Sequence, residues 1–254
     1  MLTNIRYILI TAIRDRLFVG LFCGVIFAAF VSSVMGGTAM LEPEQMTLTF
    51  AAASARLILV VGLIVFTCFH VRNAFDTKEI DVLLSRPISR SNLVISYWLG
   101  FAVVALLLVV PTWVMLYVVG ILSSNGFMAW GASILLEMWL VVAISLFAAF
   151  TFKSAVSSVL ASLGFYVLSR MMGFFVATSQ SGSLFEAREI NIGFRWVMDV
   201  ISVVVPRLDF FGKSQWLIYG LKSYQDLYLF LLQGGIFIPL LIAATVIDFK
   251  RKQF

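Results

Sequence analysis

Six apolar stretches, most of them longer than the roughly 20 residues a helix needs to cross a bilayer, constrain this chain more than any other feature. They fall at Leu17–Gly37, Leu57–Phe69 with a backward extension through Ala51–Ala55, Leu93–Gly120, Met128–Phe152, Ala155–Thr178 and Leu227–Ile247. Inside hydrocarbon no water hydrogen-bonds a backbone amide or carbonyl, so such a segment is stable only as a helix that satisfies its own backbone. The expected fold is an all-α integral membrane protein, with six transmembrane helices in a single domain over residues 1–254. At 61% hydrophobic and 12% charged, with a mean hydropathy of +1.03, the chain falls outside the soluble globular classes.

Charge placement orients the spans. Arg6, Arg14 and Arg16 precede the first, and Arg72, Lys78, Arg86 and Arg90 lie between the second and third. Lys153 separates the fourth and fifth, and Lys250, Arg251 and Lys252 follow the sixth. The alternate connections, Thr38–Phe50 and Ile121–Phe127, hold no lysine or arginine, although Arg56 follows closely on the first of them. Basic residues stay on the cytoplasmic side, so both termini and the Asp76–Arg90 connection are expected there. The net charge of +5 reflects that bias and does not imply a nucleic-acid partner. No small-residue cleavage site follows the basic N-terminal stretch, so a retained first span is expected. Before it, Ile5, Ile8, Leu9, Ala12 and Ile13 form an apolar stripe opposite Arg6, Arg14 and Asp15, which predicts an interfacial helix over residues 1–16.

Residues 179–226 form a long extracytoplasmic segment. Within it Asn191, Arg195, Asp199 and Ser202 share one helical face, and Trp196, Val197, Val200, Ile201, Val203 and Val204 fill the other. The apolar run Trp196–Val205 is too short to cross and ends at Pro206, predicting a re-entrant or interfacial helix in the outer leaflet. Small residues recur every four positions at Gly20, Gly24, Ala28, Ser32 and Gly36, and similarly at Ser154, Ser158, Ser162, Ser169 and Gly173. Such stripes let helix backbones approach closely, whether within the chain, at a dimer seam or along a pathway. Pro111 and Pro239 predict kinks inside spans. Cys23 and Cys68 lie in apolar runs and the one histidine is His70, so neither a disulfide framework, a metal site nor a catalytic set is expected. Glu137 and Arg170 fall inside the fourth and fifth spans, each roughly 12–14 Å below the outer surface at 1.5 Å per residue. They are candidates for a pathway or gate. Either they pair, or Arg170 snorkels outward and Glu137 is protonated or faces a wet cavity.

The most informative polar stretch is Asp76-Thr77-Lys78-Glu79-Ile80-Asp81-Val82-Leu83-Leu84-Ser85-Arg86-Pro87-Ile88-Ser89-Arg90. Ile80, Leu83, Leu84 and Ile88 recur at helical spacing, with Asp76, Lys78, Glu79, Asp81 and Arg86 around the other side. Pro87 ends that helix, since it lacks an amide donor and disfavours helical geometry at Arg86. A short amphipathic helix between two spans suits a surface gripped by a partner; the plainer reading is a solvated loop. In the first case Ile80, Leu83 and Leu84 would anchor in a groove, and Glu79, Asp81, Arg86 and Arg90 would set orientation at its rim.

This run, ending Leu83-Leu84-Ser85-Arg86-Pro87-Ile88-Ser89-Arg90, resembles the coupling-helix region in permease subunits of type-2 ABC transporters. The amphipathic N-terminal helix, the six spans, the internal termini and the apolar outer segment before the sixth span resemble that family's architecture. Many members carry a Gly-Thr pair early in the segment, where this chain has Lys78-Glu79. The resemblance implies an exporter permease of the bacterial cytoplasmic (inner) membrane, working as a homodimer or heterodimer. It also implies separate cytoplasmic ATPase subunits, carrying ATP and Mg, that dock on Asp76, Glu79, Ile80, Asp81, Leu83, Leu84, Arg86, Pro87 and Arg90; a periplasmic partner is a further candidate. The chain itself is expected to hold no cofactor and to hydrolyse no ATP. Its one phosphate-loop fragment, Gly212-Lys213-Ser214, has Arg207 where the motif needs its first glycine. The rival readings are a secondary transporter or a membrane scaffold without an ATPase, and an intramembrane enzyme. Spans rich in aliphatic, phenylalanine and small residues favour a lipidic, peptide-like or otherwise amphipathic cargo.

Overall fold

The computed structural model describes residues 2–14, 16–38, 42–85, 89–119, 124–181, 188–221 and 224–251. Those residues fold into helices and turns, with no strand among them. The helices are α1 (Leu2–Arg14), α2 (Arg16–Gly37), α3 (Pro43–Asp76), α4 (Glu79–Leu84), α5 (Arg90–Val119) and α6 (Ser124–Thr151). They continue as α7 (Ala155–Ser181), α8 (Arg188–Val204), α9 (Gln215–Tyr219) and α10 (Tyr224–Arg251), with a 3-10 turn at Leu208–Phe210. Six of them, α2, α3, α5, α6, α7 and α10, are long and apolar enough to cross a membrane.

Five of the six match the expected spans to within a few residues. The second does not. Residues 43–50, expected in a loop, are the first two turns of α3, whose 34 residues extend for about 51 Å. Pro43 explains the start, because proline suits the first helical turn, where its missing amide would have no partner. Arg56 therefore lies well inside a helix, not beside a connection.

Helix α6 is the axis of the bundle. In its most apolar window 72% of the residues are buried, against 22% in α2 and in α7. Apolar burial does not drive association inside lipid, so close packing and hydrogen bonds must hold these helices together. Indole N–H groups supply some of the bonds across α5 and α6. Trp139 Nε1 donates to the Ala102 carbonyl at 3.1 Å and Trp113 Nε1 to that of Phe127 at 3.1 Å. Small residues supply the close packing. Gly24 of α2 lies against Ile58 of α3 and Gly36 against Thr47, while Ala28 and Ser32 between them are buried. On α7, Ser158, Ser162 and Ser169 are wholly buried and Gly173 abuts Asp209. Both small-residue stripes thus serve packing within this chain. Two members are exceptions: Gly20 has open space around it and Ser154 is exposed.

Helix α1 lays part of its predicted stripe on α5, with Ile8 against Gly100 and both Ile8 and Ala12 buried, whereas Ile13 is exposed. Helix α8 packs on α7 through a small cluster of Met172, Val176, Val205 and Ile201. Its Trp196, Val203 and Val204 are exposed.

Candidate functional site

Polar side chains from three spans meet at one carboxylate. Glu137, midway along α6, is completely buried. Tyr166 and Arg170 stand one turn apart on α7, so both reach the same point on α6. The Tyr166 hydroxyl donates to Glu137 Oε1 at 2.9 Å, and an Arg170 guanidinium nitrogen lies 3.8 Å from that oxygen. Arg56 of α3 brings its Nε to 3.7 Å from Oε2. The two arginine contacts are ion pairs beyond hydrogen-bond reach, so their attraction is coulombic. Among the described residues Arg56 Nε, Arg56 Nη2 and Glu137 Oε2 have no hydrogen-bond partner. Two guanidiniums thus face one carboxylate where a charge persists only if it is paired.

One of these cations also holds the segment that follows α8. Arg170 donates to the carbonyls of Leu208 and Phe211. Gly212 donates its amide to Ser133 Oγ at 2.9 Å, one turn before Glu137 on α6. Its φ of +53° is a conformation that side chains rarely adopt, and a Cβ there would run into Arg56 Nη2. Arg207 pairs with Asp209 at 2.8 Å and stacks on Phe210, while Lys213 pairs with Asp226 at 3.1 Å. The cluster therefore joins α3, α6, α7 and residues 207–212 into one electrostatic latch. Gly212 is an integral part of it.

Glu137 and Arg170 were the expected pathway candidates, and the structure brings them together. Arg56 and Tyr166 complete the group and were not anticipated. The signals were present: Arg56 shares a helical face with Ala52, Ala55, Leu59 and Val60, all buried, and Tyr166 precedes Arg170 by four residues.

At the end of the bundle where α3 stops, α5 begins and α10 ends, the 76–90 connection takes shape. Lys78 is in a left-handed turn (φ 57°) and its amide donates to the Phe75 carbonyl at 3.1 Å, closing α3. After it α4 spans only Glu79–Leu84. Residue roles within α4 differ from those expected. Ile80 is wholly buried in the bundle core and Leu83 packs against that core, so both fasten α4 to its own chain. Among the described side chains of α4, the exposed apolar one is Val82. Asp76 is exposed and accepts from Arg72 at 3.3 Å, and Glu79 is half-buried. Arg90 donates to the carbonyls of Phe249 and Lys250 at the end of α10, beneath which Phe75, Phe150 and Phe249 stack edge to face. Asp81 and Leu84 contribute backbone to α4, and their side chains, like all of Arg86 and Pro87, lie outside the described residues.

No protein-family model matches this chain, and no curated protein matches its sequence.

Proposed function

We propose that this chain is a permease subunit of an ATP-driven exporter, switched by separate ATPase subunits that act on residues 76–90. The observation that carries the reading is the seating of α4. It joins α3 to α5, buries Ile80 in the core, and turns Val82 outward. A partner gripping the outer face would move a helix that has no slack, because Ile80 ties it inward and Arg90 ties the start of α5 to the end of α10. In this reading both termini and α4 are cytoplasmic, in a bacterial inner membrane. The Glu137 latch lies in the outer half, and α8 rests in the outer leaflet. A second permease copy completes the pathway, ATP and Mg reside on the ATPase, and the cargo is amphipathic.

The test is recovery of a nucleotide-hydrolysing partner with the chain purified from its native membrane, compared with a Val82→Asp variant. Val82 is exposed, so the substitution leaves the bundle intact. The expected result is copurifying ATP hydrolysis from the unaltered chain and at least a tenfold loss from the variant, converting an apolar anchor to a charge. Equal recovery from both, or no hydrolysing partner from either, overturns the proposal. The buried ionisable group favours a second reading, a secondary transporter, in which transport would depend on an ion gradient and not on ATP.

A further inference from the structure

A groove between α2 and α3 has the chemistry of a ligand site, and the latch plays no part in it. Arg16, Gly20, Leu21, Ile58, Gly62 and Val65 line it, with Leu57 and Val61 exposed along its side. Its volume is about 470 Å³, within the roughly 300–1,000 Å³ typical of small-molecule sites. Gly20 holds the groove open. Gly62 has no room for a side chain because Leu21 lies against it, whereas a Cβ on Gly20 would meet nothing within 4 Å.

Charge is confined to one end. Arg16 is the one charged lining residue, and the apolar part of α2 begins just beyond it at Phe18, which sets Arg16 at the depth of lipid headgroups. Among the described residues no carboxylate pairs with it. From Val65 to Leu57 the wall runs for about 12 Å at 1.5 Å per residue. That is most of the roughly 15 Å depth of one leaflet's hydrocarbon. A cation at headgroup level, with no carboxylate partner among the described residues, above an apolar slot one leaflet deep, matches a molecule with an anionic head and an alkyl tail. A second copy of the chain fits less well, because a symmetric contact would set this basic groove against itself.

We propose that the groove binds an anionic phospholipid, its phosphate on Arg16 and one acyl chain laid over Gly20 and along Val61 and Leu57. The proposal requires only that α2 and α3 span a bilayer, so it stands or falls apart from any ATPase partner. Native mass spectrometry of the full chain in detergent, titrated with phosphatidylglycerol or phosphatidylcholine, reads it directly. The unaltered chain is expected to retain phosphatidylglycerol about fivefold better, the worth of one basic residue near an anionic surface. Arg16→Gln should bring the two lipids to parity, and Gly20→Leu, which fills open space, should lose both. Arg6→Gln, exposed on α1 and outside the groove, should retain the full preference. Three outcomes overturn the proposal: unchanged lipid retention in Arg16→Gln and Gly20→Leu, an equal loss of preference in Arg6→Gln, or a Gly20→Leu variant that changes from dimer to monomer with its lipid count unaltered. The last would make the groove an interface between copies.

Discussion

Two pairs of arginines lie in opposite halves of this molecule, and their surroundings make them unequal. Where α3 ends, Arg72 and Arg90 donate to the carbonyls of Phe152, Phe249 and Lys250, and Arg72 also meets Asp76, whose side chain is 70% exposed. Around Glu137, Arg170 likewise donates to backbone carbonyls, those of Leu208 and Phe211, yet its carboxylate partner is 0% exposed. Water and salt screen the first region, where a helix-surface ion pair one turn apart is worth about 0.3–0.5 kcal/mol. In the second the carboxylate has no exposed surface, so screening reaches it far less. Removing one partner there strands a charge in a medium that cannot solvate it, at a cost of about 3–5 kcal/mol. One end is therefore organised by helix-end geometry and tolerates change, while the other is organised by charge balance and does not.

Glu137→Ala puts the contrast under the greatest strain. It leaves Arg56 and Arg170 facing each other without a counter-charge and should destabilise the chain by about 3–5 kcal/mol. The measurement is thermal or SDS-induced unfolding in detergent. A loss below about 1 kcal/mol would mean that the buried group is hydrated and the two regions are alike. Tyr166→Phe comes next. It removes the one hydrogen bond to the carboxylate seen among the described residues, and a bond to a charged group is worth about 1.5–3 kcal/mol. Its effect should shrink sharply in a Glu137→Gln background, where the acceptor no longer carries charge.

Gly212→Ala sharpens the comparison by acting on the latch through backbone. A non-glycine residue at φ +53° costs about 1–3 kcal/mol, and here the new methyl also meets Arg56 Nη2. Combining it with Arg56→Ala should cost less than the two single changes added together, since neighbours in contact are coupled. Strict additivity of the unfolding free energies would separate Gly212 from the charge group.

The difference between the halves also decides what a sequence exposes to reading. Apolar length belongs to the residues themselves, so α2, α5, α6, α7 and α10 are legible from composition along the chain. The start of α3 is not, because Glu42, Glu44 and Gln45 look like a loop although Pro43 opens a helix that reaches well past the membrane core. With that helix foreshortened, Arg56 looks like a flanking charge, and a group of four is reduced to Glu137 and Arg170. In α4 the limit is of another kind. Periodicity separates Ile80 and Leu83 from their charged neighbours, but an apolar face can meet either the chain's own bundle or a partner. Only packing distinguishes the two, and it places Ile80 inside and leaves Val82 out.

Asp76→Asn carries the smallest expected effect and tests the tolerant half directly. Arg72 keeps its bond to the Phe152 carbonyl and its place over the Phe75 ring, so its guanidinium is still held on two sides when the carboxylate charge is gone. The pair stands one turn apart on α3 with Asp76 mostly in solvent, so losing it should cost no more than about 0.5 kcal/mol in low salt. In roughly 0.5 M salt that difference should vanish, because the screening length there is well under 10 Å. A salt-independent loss of 2 kcal/mol or more would place Asp76 in a network as dry as that of Glu137. The contrast between the halves would then lie in the number of partners each charge has, and exposure to water would no longer explain it.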